Sequence, residues 1–332
     1  MSQHTGTTRT PVVRRARRAV SLLAAAAVLA GSVLAASAAG AAPQRRGLGE
    51  ETLAVAAGLA HPDGSAPGTN DWSCRPTAEH PRPVVLLIGT GANMMLNWYY
   101  MAPKLKEQGY CLFSLNYGAT GRGPLKALGD IPTSAREVAV FVDRVLAATG
   151  ARQVDLVGHS QGGGVLPRWY LRFDGGTDPA DPARNKVAQL IGIAPSNHGS
   201  DLDGLGPALD AIGVFDATTL LQGGPAMKEQ LRGSWVNTTV DAGGDTQPGV
   251  RYTVISTRDD YVVTPYTTQA LTAGPGATVR DEVLQDVCRT LLPLVVTHVG
   301  MAFSPSVLGL VEDALDPTAP HPKPCSPLTD AG

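Results

Sequence analysis

Val154-Asp155-Leu156-Val157-Gly158-His159-Ser160-Gln161-Gly162-Gly163 is the stretch on which the reading of this 332-residue chain turns. An apolar run ends in Gly-x-Ser-x-Gly, and beyond it Val165, Leu166, Trp169 and Tyr170 recur at helical spacing. A strand that turns sharply into a helix, with a serine at the apex, is a nucleophile elbow. Gly158 and Gly162 carry no Cβ, so strand and helix can pass close to each other. The helix start behind Ser160 aims free N–H groups at developing negative charge. The competing reading, a plain glycine-rich turn, explains the motif but not its place between a β-type run and a helical one.

Outward from the elbow the chain alternates. Residues 83–88, 111–115, 187–194 and 250–256 are short, nearly continuous apolar runs bounded by Gly, Pro or polar clusters, as strands buried on both faces of a parallel sheet are. Helices are expected over 98–108, closed by Gly109, and from Thr133 to a stop at Gly150, with Val138, Phe141, Val142, Val145 and Leu146 on one face. Strand-helix alternation predicts one α/β domain over 81–332, a doubly wound, mainly parallel sheet with its site at the carboxyl ends of the strands. Residues 199–249 break the alternation with short amphipathic pieces, 208–215 and 226–235 among them. They are read as a helical cap or lid whose Leu205, Leu209, Ile212, Val214, Phe215, Leu220 and Leu221 could line an acyl pocket or simply pack. Residues 39–80 read as an N-terminal arm of low order with one short helix near 50–59.

The N-terminus is read as an export signal. Arg9, Arg14, Arg15, Arg17 and Arg18 precede an Ala-rich apolar run and small residues near Ala36-Ser37-Ala38, so residues 1–38 are a signal peptide removed on secretion. The run is too weakly apolar for a stable membrane anchor. Taking those five arginines from the 27 Lys and Arg leaves 22 against 29 acidic residues, a net charge of −7 for the mature chain. An acidic protein without a basic patch is a poor partner for nucleic acid. Four cysteines in an exported chain imply two disulfides, and near-neighbour pairing, Cys74 with Cys111 and Cys288 with Cys325, is expected. With no C-x-x-C and no histidines beside the cysteines, a zinc site is poorly supported, and no other metal or organic cofactor is required.

A serine hydroxyl needs an imidazole to take its proton and a carboxylate to hold that imidazole. With the elbow first, the acid and then the histidine should follow along the chain. His298, after an apolar run and before Gly300, fits better than His198 or than His321 in a Pro-rich tail. Asp259 and Asp260 both stand just past a strand end, and spacing does not separate them. The oxyanion needs two N–H donors: that of Gln161, directly after the nucleophile, and that of Thr90 in the Gly89-Thr90-Gly91 loop after the first core strand.

Several motifs together carry a family resemblance: Leu87-Ile88-Gly89-Thr90-Gly91-Ala92-Asn93, Asn97-Trp98, Gly109-Tyr110-Cys111, Asn116-Tyr117-Gly118, Gly158-His159-Ser160-Gln161-Gly162-Gly163, Ala194-Pro195-Ser196-Asn197-His198-Gly199 and Val262-Val263-Thr264-Pro265-Tyr266. The chain resembles the secreted actinobacterial lipases of the class 2 type, triacylglycerol lipases and esterases with the α/β-hydrolase fold. The resemblance implies Ser160 as nucleophile, Asp260 as acid, His298 as base and the same two disulfides. It also implies a lipid or other ester substrate met at an oil–water interface. The chain departs from the family at Ile88, where a histidine is usual, and at Asp259, where an aromatic residue is usual. Related chemistries on the same residues are esterase, polyester depolymerase, phospholipase or acyltransferase action; a reading of a different kind is a non-catalytic lipid-binding protein on a hydrolase fold.

Overall fold

The computed structural model describes residues 49–330 other than 122, 291–293, 319 and 327–329. The expected signal peptide and the first part of the 39–80 arm therefore lie outside the described residues. Among the described residues six strands form one sheet: β1 (Val84–Leu87), β2 (Leu112–Leu115), β3 (Val154–His159), β4 (Val187–Ile193), β5 (Arg251–Ser256) and β6 (Thr278–Val283). All neighbours pair in parallel, in the order β2-β1-β3-β4-β5-β6. Every side chain of β1, β2 and β3 is buried, as continuous apolar runs covered by helices on both faces require. The chain steps outward from β1 to β2 and then crosses back to β3. The switch point between β1 and β3 opens a crevice at their carboxyl ends.

Local chemistry sets the helix boundaries. The long helix Ile131–Thr149 starts where the Asp130 carboxylate accepts the Thr133 N–H, has Pro132 in its first turn, and stops at Gly150 in a left-handed conformation. Its Ile131, Ala135, Val138, Val142 and Val145 are buried against the sheet. The helix expected over 98–108 is two pieces, Met94–Trp98 and Met101–Glu107, and the first is capped by Asn93. Strand β6 and the helix Pro305–Leu315 are among the elements that escape the sequence reading. Strand β6 is an edge strand whose Thr278, Arg280 and Asp281 face solvent, so it lacks an apolar run. Helix Pro305–Leu315 carries Gly309 in its interior, where an added Cβ would lie 2.3 Å from the Pro322 carbonyl oxygen. The C-terminal segment thus lies directly against that helix.

From residue 49 onward the arm packs against the domain. Helix Glu50–Ala60 buries Ala54 and touches Asn93 and Leu96 through Gly58. Further along, Asn70 bonds to Leu112 and Ser114 at the β2 edge. Disulfides join Cys74 to Cys111 and Cys288 to Cys325. Between β4 and β5 the interruption contains helices Gly206–Ala211, Val214–Gln222, Ala226–Glu229 and Trp235–Asp241. The expected piece at 208–215 is split by Gly213, which takes positive φ. The expected piece at 226–235 ends early, and Ser234 caps a new helix.

Candidate active site

Strand β3 delivers Ser160 to the apex of the elbow, where its φ is +55°. A non-glycine residue in that region is strained and held there by its surroundings. Here the surroundings are backbone. A Cβ added at Gly158 would sit 1.8 Å from the Gly162 carbonyl oxygen, and one at Gly162 would sit 2.4 Å from that of Ile88. The turn runs through one 3₁₀ segment, Ser160–Gly163, before the helix Val165–Phe173 begins.

The loop after β5 carries Asp259 and Asp260. Asp260 is 6% exposed, and its Oδ2 accepts the His298 Nδ1–H at 2.8 Å. The same oxygen accepts Gln269 Nε2, while Oδ1 accepts the N–H groups of Val262 and Val263, each at 2.8 Å. Burial pushes the Asp260 carboxyl up, but the His298 charge and hydrogen bond, with the two backbone donors, outweigh it and hold the group below its ordinary value. Asp259 turns away and accepts Gln285 Nε2 at 2.9 Å. The two acids that spacing left equal thus have different partners. The bond to Asp260 uses Nδ1 of His298 and leaves Nε2 out of it.

His159, inside the elbow, ties the two halves together. Its Nε2 meets the His298 carbonyl oxygen at 3.0 Å, and its ring centroid lies 5.0 Å from that of His298. Burial, and then the neighbouring His298, push the His159 pKa down to about 3, so it is neutral near pH 7. Among the described residues no hydrogen bond joins Ser160 to His298; such contacts commonly tighten only with substrate bound.

The β1 loop abuts Ser160. Leu87 pairs with Gly158, and a Cβ added at Gly89 would lie 3.2 Å from Ser160 Cβ. Several side chains and backbone groups hold the loop in place. Tyr117 Oη donates to the Ile88 carbonyl, Gly89 N–H donates to Asn97 Oδ1, and Gly91 N–H donates to the carbonyl of buried Lys126. Ile88, the departure at the strand end, is wholly buried in the core. Thr90 Oγ1 takes the side-chain amides of both Gln161 and Gln230.

Sequence reasoning missed Gln230, Gln269 and His159 as neighbours of these groups. The first two stand in no recognisable spacing, and His159 occupies a variable position of the Gly-x-Ser-x-Gly motif. Of the apolar residues expected to line a pocket, Phe215 is buried, whereas Leu205, Ile212 and Leu221 are exposed. Leu209 and Val214 are half-buried, and the side chain of Leu220 lies outside the described residues. His198 and His321, the rejected histidines, pair instead with Asp241 and Asp313. Among the described residues, His198, Asp241 and Asp245 could bring ligand atoms within 4.8 Å of one another. Buried Arg168 already engages both carboxylates, at 2.9 and 3.5 Å, so a cation there would face a fixed positive charge.

Comparison with known proteins gives the family described as Lipase (class 2), which matches residues 81–273. Among solved structures, Aspergillus fumigatus lipase B superposes with a TM-score of 0.59 at 22% identity, over 80% of this chain and 57% of that one. This chain thus spans little more than half of that lipase. Bacillus licheniformis lipase BlEst2 in mature form matches at 19% identity and TM-score 0.45, over 63% of this chain and 85% of its own. The first superposition carries the α/β-hydrolase fold.

Proposed function

The chain belongs to the class 2 lipase family, and from that premise we propose that it is a carboxylic ester hydrolase in which Ser160, His298 and Asp260 perform the hydrolysis through an acyl-enzyme. Ser160 Oγ attacks the ester carbonyl while His298 takes its proton, and the same imidazole then delivers that proton to the departing alcohol. Asp260 holds the ring in the required tautomer and stabilises its charged form. The N–H groups of Gln161 and Thr90 receive the oxyanion. A water molecule, deprotonated by His298, then attacks the acyl carbon and releases the acid and the free serine. The supporting observation is the 2.8 Å bond from His298 Nδ1 to buried Asp260, in a protein whose elbow serine sits at φ +55°.

The substrate class proposed is acylglycerol, met at an oil–water interface, with the 199–249 insertion acting as cap. Exposed Leu205, Ile212 and Leu221 on that insertion support an apolar encounter surface. Export is supported by the Arg-then-Ala leader and the two disulfides. No helix among the described residues is long and apolar enough to cross a membrane.

Ser160→Ala tests the chemistry, with an expected fall in kcat of roughly 10⁴-fold or more on a soluble butyrate ester. Turnover at the wild-type rate would instead favour a lipid-binding protein without this chemistry. Wild-type enzyme should also hydrolyse a long-chain triglyceride emulsion. An untouched emulsion beside a cleaved butyrate ester would replace the lipase reading by an esterase one.

A further inference from the structure

We propose that Gln269 is a positioning residue for Asp260: its side-chain amide holds, from a separate element of the fold, the same carboxylate oxygen that His298 engages. The proposal rests on the hydrolase reading of Ser160, His298 and Asp260, and adds to it the group that keeps two of them in register.

An ionised carboxylate offers about four lone-pair sites, and around Asp260 four donors are found. Oδ1 takes the N–H groups of Val262 and Val263, and Oδ2 takes His298 Nδ1 and Gln269 Nε2, each at 2.8 Å. The orientation of the amide is settled by a second contact, since Nε2 also lies 3.4 Å from the Val263 carbonyl oxygen, which can only accept. Gln269 therefore donates. The two backbone donors come from the loop that carries Asp260 itself, so they fix one oxygen relative to its own loop. Gln269 is the donor on Oδ2 other than His298, and with it in place Oδ2 is fixed before His298 uses it.

The amide is itself clamped. Gln269 is wholly buried at the end of the 3₁₀ segment Tyr266–Gln269, and a buried amide must be satisfied from within the fold. Two residues of the Ala194–Gly199 motif at the end of β4 grip that segment. Asn197 Nδ2 donates to the Gln269 carbonyl, and the Gly199 carbonyl takes the Thr268 hydroxyl at 3.1 Å. Asn197 is in turn buried, and its carbonyl accepts from buried Arg168. A motif that supplies none of the three reacting groups thus reaches Asp260 through one side chain. Among the described residues, the titratable and charged groups around the amide are Asp260 and His298, with His159 5.0 Å behind the His298 ring and Arg168 beyond Asn197.

Gln269→Met keeps the bulk and removes the donor. On a soluble butyrate ester, kcat is expected to fall roughly 10- to 100-fold with KM changed little, as for loss of one hydrogen bond to a charged group. With that donor gone, more of the carboxylate charge falls on His298, so the imidazole keeps its proton to higher pH and the acid limb of the rate profile moves up. Gln269→Glu reads the same bond in reverse. Burial and the Asp260 charge raise the new carboxyl, which donates to Oδ2 while protonated and repels it once ionised. This variant should stay within about tenfold of wild type near about pH 6 and fall away towards about pH 9, where wild type stays level. Wild-type kcat with an unmoved acid limb in Gln269→Met overturns the proposal. So does a lower kcat whose limb stays in place, since that marks a purely structural role. Should Gln269→Met fail to fold, a Gln269→Glu profile parallel to wild type overturns it instead. Each of these results leaves the hydrolase reading standing, because that reading falls only with an active Ser160→Ala.

Discussion

The elbow around Ser160 and the insertion between β4 and β5 both touch the loop after β1 but differ in what holds them. At the elbow, backbone meets backbone: Gly158, Gly162 and Gly163 let strand and turn approach at distances that exclude any side chain. The insertion buries Phe215, Ala226, Val236 and Val240 but adds a set of polar anchors. Glu229 accepts the Ile131 N–H, Gln230 reaches Thr90, and Asp241 and Asp245 meet Arg168. Close packing has one solution and transmits strain, whereas a single polar anchor contributes about 1 kcal/mol net, or about 1.5–3 kcal/mol where a partner is charged. Ser160 is therefore built on the part that cannot adjust, and Gln230 on a part joined to it by exchangeable bonds.

Gly158→Ala gives the largest contrast. Its Cβ would lie 1.8 Å from a backbone oxygen, so folding or the elbow must give way. The variant is expected to lose activity and most of its thermal stability, read by a melt and by ester turnover. A wild-type melt with full turnover would show that the elbow adjusts after all. Next comes the pair of acids. Asp260→Asn is expected to lower kcat by roughly 10⁴-fold by upsetting the histidine tautomer. Asp259→Asn should leave kcat within its own order of magnitude, because Asp259 bonds Gln285 and not His298. Equal losses in the two would remove Asp260's special place.

The same division explains what could be read in the sequence. Strands β1 to β5 announce themselves because burial on both faces demands apolar runs, and the elbow because a close approach demands glycine at fixed offsets. Chain order and the apolar run before it point to His298, whereas Asp259 and Asp260 are adjacent and spacing leaves them equal; the family resemblance points to Asp260, and the fold gives the two acids different partners. Strand β6 stayed hidden because an edge needs no apolar face. Gln230 and Gln269 stayed hidden for another reason. A single amide reaching across 140 residues from Gln230 to Thr90 leaves no periodicity, since its partner is fixed by folding and not by spacing. The insertion was located by its break in alternation, but which of its apolar residues face solvent depended on packing that no short window contains.

The smallest effect tests the insertion's own anchor. Glu229 is buried beside Asp130 and accepts the Ile131 N–H at 2.8 Å. Burial first, then the charge and hydrogen bond of Asp130, push its carboxyl up to about 7 against the opposing pull of that N–H. A raised carboxyl means that the folded protein favours the protonated form. Its contribution is therefore full below the unfolded value, near 4.5, and is lost as pH rises through about 7, staying flat above. Gln mimics the protonated acid, for its oxygen can still accept from Ile131 and its amide can donate to Asp130. Wild type and Glu229→Gln should melt together near pH 4.5, and the variant should melt higher, on the order of a few degrees, at pH 8. A gap that is the same at both pH values would mean that the charge at Glu229 is already relieved, and that the insertion is held as tightly as the elbow.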